Sequence, residues 1–299
     1  MINAPPLNVS DSLITAQNLD LANRHYENFP VASILLPTHL HSPINLIYSF
    51  ARQADDFADE GDLTITQRLA LLNGFKDELD LLHAYIKPRS AFFMRLGNMI
   101  KTTKLPFSPF YDLLDAFSQD VTKTRYTNYN EVLDYCARSA NPVGRLMLHL
   151  YGQASPSNIA LSDNICSALQ LINFLQDIAI DFKKNDGQQR IYLCQNELAK
   201  FGITESQIQA YVNATKNVDE NWRKFMQFNL SRVSALMQAG KPLGVILPGR
   251  FGFNMRMIIA GGERIIHKIH AVNGDVFKHR PTLKLRDWLV IFFKALFRI

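Results

Sequence analysis

The stretch QLINFLQDIAID, residues 170–181, decides how the chain is read. Gln170, Asn173, Asp177 and Asp181 recur at steps of three, four and four. Leu171, Ile172, Phe174, Leu175, Ile178, Ala179 and Ile180 fill the positions around them. That period is helical, and it describes a polar stripe on an otherwise buried helix. Burial of unpaired carboxylates is expensive, so Asp177 and Asp181 require something that neutralises them.

Residues 48–62, YSFARQADDFADEGD, repeat the pattern in a second helix and gather five acids in a chain of net charge +5. Asp55 and Asp59 are four residues apart, so on a helix their Cβ atoms lie roughly 5–6 Å from each other on one face. Taken alone, this cluster reads equally as a solvated helix end or as a metal site. Two such aspartate pairs on two long helices point jointly to a divalent site with oxygen ligands. Mg²⁺ prefers hard oxygen donors, keeps waters and is commonly shared with substrate phosphates. The expected ligands are Asp55, Asp59, Asp177 and Asp181. Asn173 joins them because its oxygen lies one turn before Asp177. Asp56 and Glu60 are expected to orient waters or pair with Arg52, and Gln170 to hydrogen-bond in the polar layer. Arg52, Arg190 and Tyr192 are candidate diphosphate contacts, since guanidinium groups match phosphate oxygens; Lys183 and Lys184 are weaker ones. Tyr48, one turn before Arg52, reads either as a phosphate contact or as a core tyrosine.

The rest of the chain has the same helical period. Helices are expected over 10–28, 44–60 and 66–86, and after the Pro106 and Pro109 entry. A break is expected at Asn141-Pro142, because proline removes a donor and clashes with the preceding turn. A long helix from about residue 158 is expected to run through Asp181 into a polar loop. Later helices cover 204–214 and 218–240, stopping at Gly240, and the segment before the tail. Strand-like alternation is almost absent, so one all-α domain over 1–280 with a tail over 281–299 is the economical reading.

The 299 residues are 47% hydrophobic and 20% charged, enough for a large core and unlike a disordered chain. Cys136, Cys166 and Cys194 are widely spaced, which argues against a disulfide framework or structural zinc and fits a reducing cytosol. No leader-like start and no spanning run is read. The basic residues are dispersed and the acidic clusters repel phosphate without a metal, so no nucleic-acid partner is expected. The tail KHRPTLKLRDWLVIFFKALFRI, residues 278–299, interleaves basic and aromatic residues. It suits either an anionic membrane interface or docking on the protein's own core.

At these residues the sequence resembles the squalene/phytoene synthase family. The resemblance is carried by YSFARQADDFADE (48–60), by QLINFLQDIAIDFKKNDGQQRIYL (170–193) and by GGERIIHKIHAVNGDVF (261–277). HYENFPVASILLP (25–37) and YCARSANPVGRL (135–146) are similar to the hydroxysqualene-synthase subgroup from bacterial hopanoid pathways. The family implies an all-α isoprenoid-synthase fold around a central cavity, and Mg²⁺-dependent ionisation of a prenyl diphosphate. It also places Asn28 and Phe29 near the substrate. The subgroup implies conversion of presqualene diphosphate and water to hydroxysqualene without NADPH. The alternative is a complete squalene or phytoene synthase joining two prenyl diphosphates. Ala137 and Arg138 stand where general members carry a substrate-facing tyrosine, a departure that disfavours the alternative. The resemblance further implies a bacterial cytoplasmic location, peripheral to the inner face of the membrane if the tail binds there, and functional coupling to other squalene-pathway enzymes. A non-catalytic relative would be expected to lack the aspartates, and both pairs are intact.

Overall fold

The computed structural model describes residues 37–183 and 189–297. The expected first helix, with Asn28 and Phe29, lies outside them, as does Lys184. Helix α1 (Thr38–Asp59) buries Ile47, Phe50, Ala54 and Ala58, a stripe at three- and four-residue steps. It starts earlier than the expected residue 44 and carries Pro43 within its first turns. Helix α2 (Ile65–His83) begins on a capping box made by Thr64 and Gln67. Helix α3 (Ala91–Thr103), capped by Ser90 and not among the expected helices, and α4 (Ser108–Thr122) complete a first group. These helices share a core in which Phe50 meets Phe75, Phe93 and Phe110 at ring distances of 5.6, 6.2 and 5.2 Å.

The second group begins with α5 (Tyr129–Ser139) and α6 (Asn141–Leu150), which are separated at Ala140 as the Asn141-Pro142 pair requires. Behind this break Gly144 permits α6 to approach α7 (Pro156–Gln176). A Cβ there would stand 2.3 Å from Ser162 Oγ and 2.7 Å from Cys166 Sγ. Helix α7 is not continuous through Asp181. It ends at Gln176, Asp177 takes φ −107° and ψ 15°, and a short α8 (Ile178–Asp181) follows. The backbone bonds Asp177 N–H to Asn173 O and Asp181 N–H to Asp177 O, both 2.9 Å, still bridge the break. The two carboxylates thus remain one turn apart.

Among the described residues the expectation of a strand-poor chain holds with one exception. Strands β1 (Arg125–Tyr126) and β2 (Ile191–Cys194) pair in parallel. Short helices α9 (Gln195–Lys200) and α10 (Glu205–Val212) lead to α11 (Glu220–Gly240), which packs along α7. A short α12 (Leu243–Ile246) precedes α13 (Gly249–Ala271) and the tail helix α14 (Leu285–Phe297). The elements from α5 to α13, with β1 and β2, form the second core, around Trp222, Phe225 and Phe174. Among the described residues no helix is long and apolar enough to cross a membrane. The three cysteines are free thiols.

The tail docks on the protein. Ile291 and Ala295 of α14 pack on Met257 and Ala260 of α13. Asp287, buried on the inner side of α14, accepts hydrogen bonds from Arg264 Nε at 2.7 Å, from Lys268 Nζ and from the Lys284 amide at 2.8 Å. Burial would raise its pKa, but the bonds from Lys268, the Lys284 amide and Arg264 outweigh that and hold it well below the ordinary value.

Candidate active site

The C-terminal end of α1 carries the first acidic bank. Arg52 sits among its acids: Nη1 lies 3.2 Å from Asp55 Oδ2, and Nη2 is 2.7 Å from both Asp56 Oδ1 and Glu60 Oε1. The expected pairing of Arg52 with Asp56 and Glu60 is therefore present, and Asp55 shares it. Tyr48 is half-buried one turn earlier. Burial raises its phenol pKa, Arg52 lowers it, and Asp56 and Asp55 raise it further.

Asp59 faces elsewhere. Its Oδ1 lies 3.1 Å from Nη2 of Arg190, a side chain only 2% exposed. Strand β2 holds Arg190 and Tyr192 in this position, because Ile191 N–H bonds Thr124 O at 3.0 Å beside β1. Arg190 Nη2 also donates to the Asp120 carbonyl at 2.7 Å, and Nη1 to Tyr192 Oη at 3.1 Å. Tyr192 in turn donates to Asp120 Oδ1 at 3.0 Å, and Tyr135 donates to Asp120 Oδ2. Burial raises the pKa of both phenols far above their ordinary range, so they remain donors. Burial also pushes Asp120 from 3.8 to about 6, against the opposing pull of Arg190 and the Tyr135 hydrogen bond.

The second bank lies at the α7–α8 break. Asp177, 9% exposed, receives Arg280 through both oxygens, Nε to Oδ1 at 2.5 Å and Nη2 to Oδ2 at 3.1 Å. Asn173 Nδ2 donates to Asp177 Oδ2 at 2.7 Å. Asp181 acts electrostatically on both Tyr192 and Arg280. Gln170 is half-buried two turns before Asp177, and Lys183 is exposed. The Tyr192 ring stacks on Phe174 at 4.0 Å and 8°. Arg190 and Tyr192 thus join the two acidic segments: one touches Asp59, and the other packs on the helix that carries Asp177. Beside them a small pocket is lined by Leu171, Phe174, Tyr192, Val132 and Val233, with Arg232 at its wall.

Asp120 and Arg280 belong to this site and were not singled out from sequence. Asp120 lies in no acidic period, and Arg280 read as part of the basic tail. Among the described residues no three His, Cys, Asp or Glu side chains enclose a point as a protein-only metal cage would. The donors are hard carboxylate and amide oxygens on two banks. This set fits a cation that takes one or two protein oxygens and completes its shell with phosphate and water. It does not fit a closed structural site. The buried Nε atoms of Arg52 and Arg190 have no hydrogen-bond acceptor among the described residues.

Comparison with known proteins gives the same assignment from an independent direction. The squalene/phytoene synthase profile matches residues 22–287. A hydroxysqualene synthase of Rhodopseudomonas palustris is 31% identical over 271 residues, 90% of this chain and 88% of the relative. A 15-cis-phytoene synthase of Synechococcus elongatus is 28% identical over 78% of this chain and 76% of the relative. The crystal structure of the squalene synthase HpnC from Alicyclobacillus acidocaldarius superposes with a TM-score of 0.76 at 30% identity, covering 88% of this chain and 98% of that one. The all-α architecture, the linked acidic banks and these similarities agree: the chain belongs to the squalene/phytoene synthase family.

Proposed function

We infer that the chain converts presqualene diphosphate and water to hydroxysqualene and diphosphate. The observation that carries this reading is the pair of acidic banks, each with an arginine on its carboxylate, set beside an aromatic pocket. Arg190 lies on Asp59 and Arg280 on Asp177. Asp55, Asp59, Asn173, Asp177 and Asp181 would hold Mg²⁺, which when bound supplies charge neutralisation for the leaving diphosphate. The guanidinium groups of Arg52 and Arg190, beside Asp55 and Asp59, would share in neutralising the diphosphate. Phe174 and Tyr192 line the adjoining pocket. Such walls exclude water and accommodate positive charge at carbon. In the reaction the substrate's C–O bond to diphosphate breaks with both electrons leaving on oxygen. The cyclopropylcarbinyl cation rearranges and its ring opens, water adds to carbon, and a proton is lost. No hydride is consumed, so no NADPH is required.

The hydroxysqualene synthases among the relatives support this product, while the phytoene synthase supports condensation of two prenyl diphosphates instead. Incubation with presqualene diphosphate and Mg²⁺, with and without NADPH, separates them by mass spectrometry. Hydroxysqualene formed without reductant is the expected result. Product only from two farnesyl diphosphates, or only with NADPH, transfers the assignment to the synthase reading. The cytoplasmic setting, the coupling to other squalene-pathway enzymes and the hopanoid role belong to this same proposal.

A further inference from the structure

Helix α14 is apolar on two opposite sides. Its inner side, Ile291 and Ala295, is spent on α13. Its outer side carries Leu285, Leu289, Phe292, Phe293, Leu296 and Phe297, all exposed, with Leu289 at 57% and Phe293 at 53%. A helix apolar all round belongs inside a core or in lipid, and here one side has no protein against it among the described residues. The surface continues onto a second element. Arg256 donates from Nε to the Ala295 carbonyl at 2.7 Å and from Nη1 to the Gly244 carbonyl at 2.6 Å. This clamp fastens α12 beside the end of α14, and α12 exposes Val245 and Ile246 at 58% and 53%. Exposed Arg250, Lys284 and Arg286 lie on or beside these two helices, while Lys294 is paired with Glu263 of α13 at 3.8 Å. The one acid in α14, Asp287, is buried on the inner side by Arg264 and Lys268, so it subtracts nothing from the outer charge.

We propose that the outer face of α14, together with Val245 and Ile246 of α12, docks this protein on an anionic lipid bilayer. The apolar side chains enter the acyl boundary and the basic residues meet lipid phosphates. A second copy of the chain fits less well, because a self-complementary contact would bring these basic residues against their own kind. The inference does not depend on the reaction assigned above. Its geometry nevertheless ties the surface to the site, since α14 starts five residues after Arg280, whose guanidinium holds Asp177.

The test is co-sedimentation of the full chain with vesicles of phosphatidylcholine alone and of phosphatidylcholine with phosphatidylglycerol, at low and high salt. The wild type is expected to bind the phosphatidylglycerol vesicles and to release as salt rises. The double variant Leu289→Ser/Phe293→Ser, on α14, is expected to weaken binding at least about tenfold. Val245→Ser/Ile246→Ser, on a separate element, is expected to weaken it in the same direction. All four positions are exposed, so both variants should keep the wild-type circular dichroism and melting midpoint; either one suffices if the other misfolds. Wild-type protein that stays in the supernatant with every vesicle overturns the proposal. So does unchanged binding by folded variants. Self-association of the wild type that Phe293→Ser abolishes, without vesicle binding, reassigns the face to a second copy.

Discussion

Asp120 is a carboxylate held where a carboxylate is costly. Burial shifts its pKa from 3.8 to about 6, and Arg190 and the Tyr135 hydrogen bond offset only part of that shift. The folded protein therefore binds more protons here than the unfolded chain between these two values. The stability this group contributes is complete below about pH 4 and is lost as pH rises through about 6. Asp120→Asn removes the titration, so the stability of wild type relative to this variant should decline across that window in urea unfolding. Parallel pH curves for the two proteins would refute the assignment. Asp177 tests the opposite balance. Its partner Arg280 is 45% exposed, so solvent screens the pair, and its loss should cost only about 0.2–1 kcal/mol. Loss of a ligand for the leaving diphosphate should cost turnover at least about a hundredfold. Asp177→Asn is thus expected to fold and melt almost as wild type while releasing little diphosphate; turnover near wild type would remove Asp177 from the ligand set. The aspartate pairs were legible because they repeat within one helical turn. Asp120 and Arg280 were not, because their partners Arg190 and Asp177 are 70 and 103 residues distant in sequence.

Elements depend on how closely their backbones approach. Helix α11 meets α7 at Gly240, where a Cβ would stand 2.4 Å from Ile165 Cγ1 and 2.8 Å from the Leu161 carbonyl oxygen. Alanine normally gains up to about 1 kcal/mol over glycine in a helix interior. At the last residue of α11 that gain is reduced, while overpacking against a backbone atom costs about 1–3 kcal/mol. The second effect wins, so Gly240→Ala should lower the melting midpoint by a few degrees, about 2–4 °C per kcal/mol. An unchanged or raised midpoint in calorimetry would show that the helices can separate freely. The sequence marked Gly240 as the helix end but carried no sign of the crossing. Two other features were equally hidden. The apolar period runs unbroken through Gln176, so the stop at Asp177 left no trace. Strand β1 has two residues, too few for any alternation to be read. Both matter, because the break presents Asp177 to Arg280 and the strand pair seats Arg190 against Asp59.

At the scale of the molecule the described residues build two large cores, besides the small cluster under α14. One lies among α1 to α4 with Leu146, and the other holds most of α5 to α13. The acidic banks fall on either side of this division: Asp55 and Asp59 end a helix of the first, while Asp177 and Asp181 belong to the second. Arg190, anchored in the second, crosses to Asp59 at 3.1 Å. A ligand gripped by both banks would therefore tie the two cores together and should stabilise the whole fold. Ligand at a hundredfold excess over its Kd contributes about 2.7 kcal/mol, equivalent to a melting shift of about 5–10 °C at this chain length. Diphosphate with Mg²⁺ is expected to produce such a shift as one cooperative transition. Diphosphate with a chelator should produce much less, because the acids then repel it. Asp59→Asn and Asp177→Asn, from opposite cores, should each reduce the shift seen with both ions present. A full shift that survives the chelator, or that survives both substitutions, would mean that the anion binds through the arginines alone and that the two acidic banks do not act as one site.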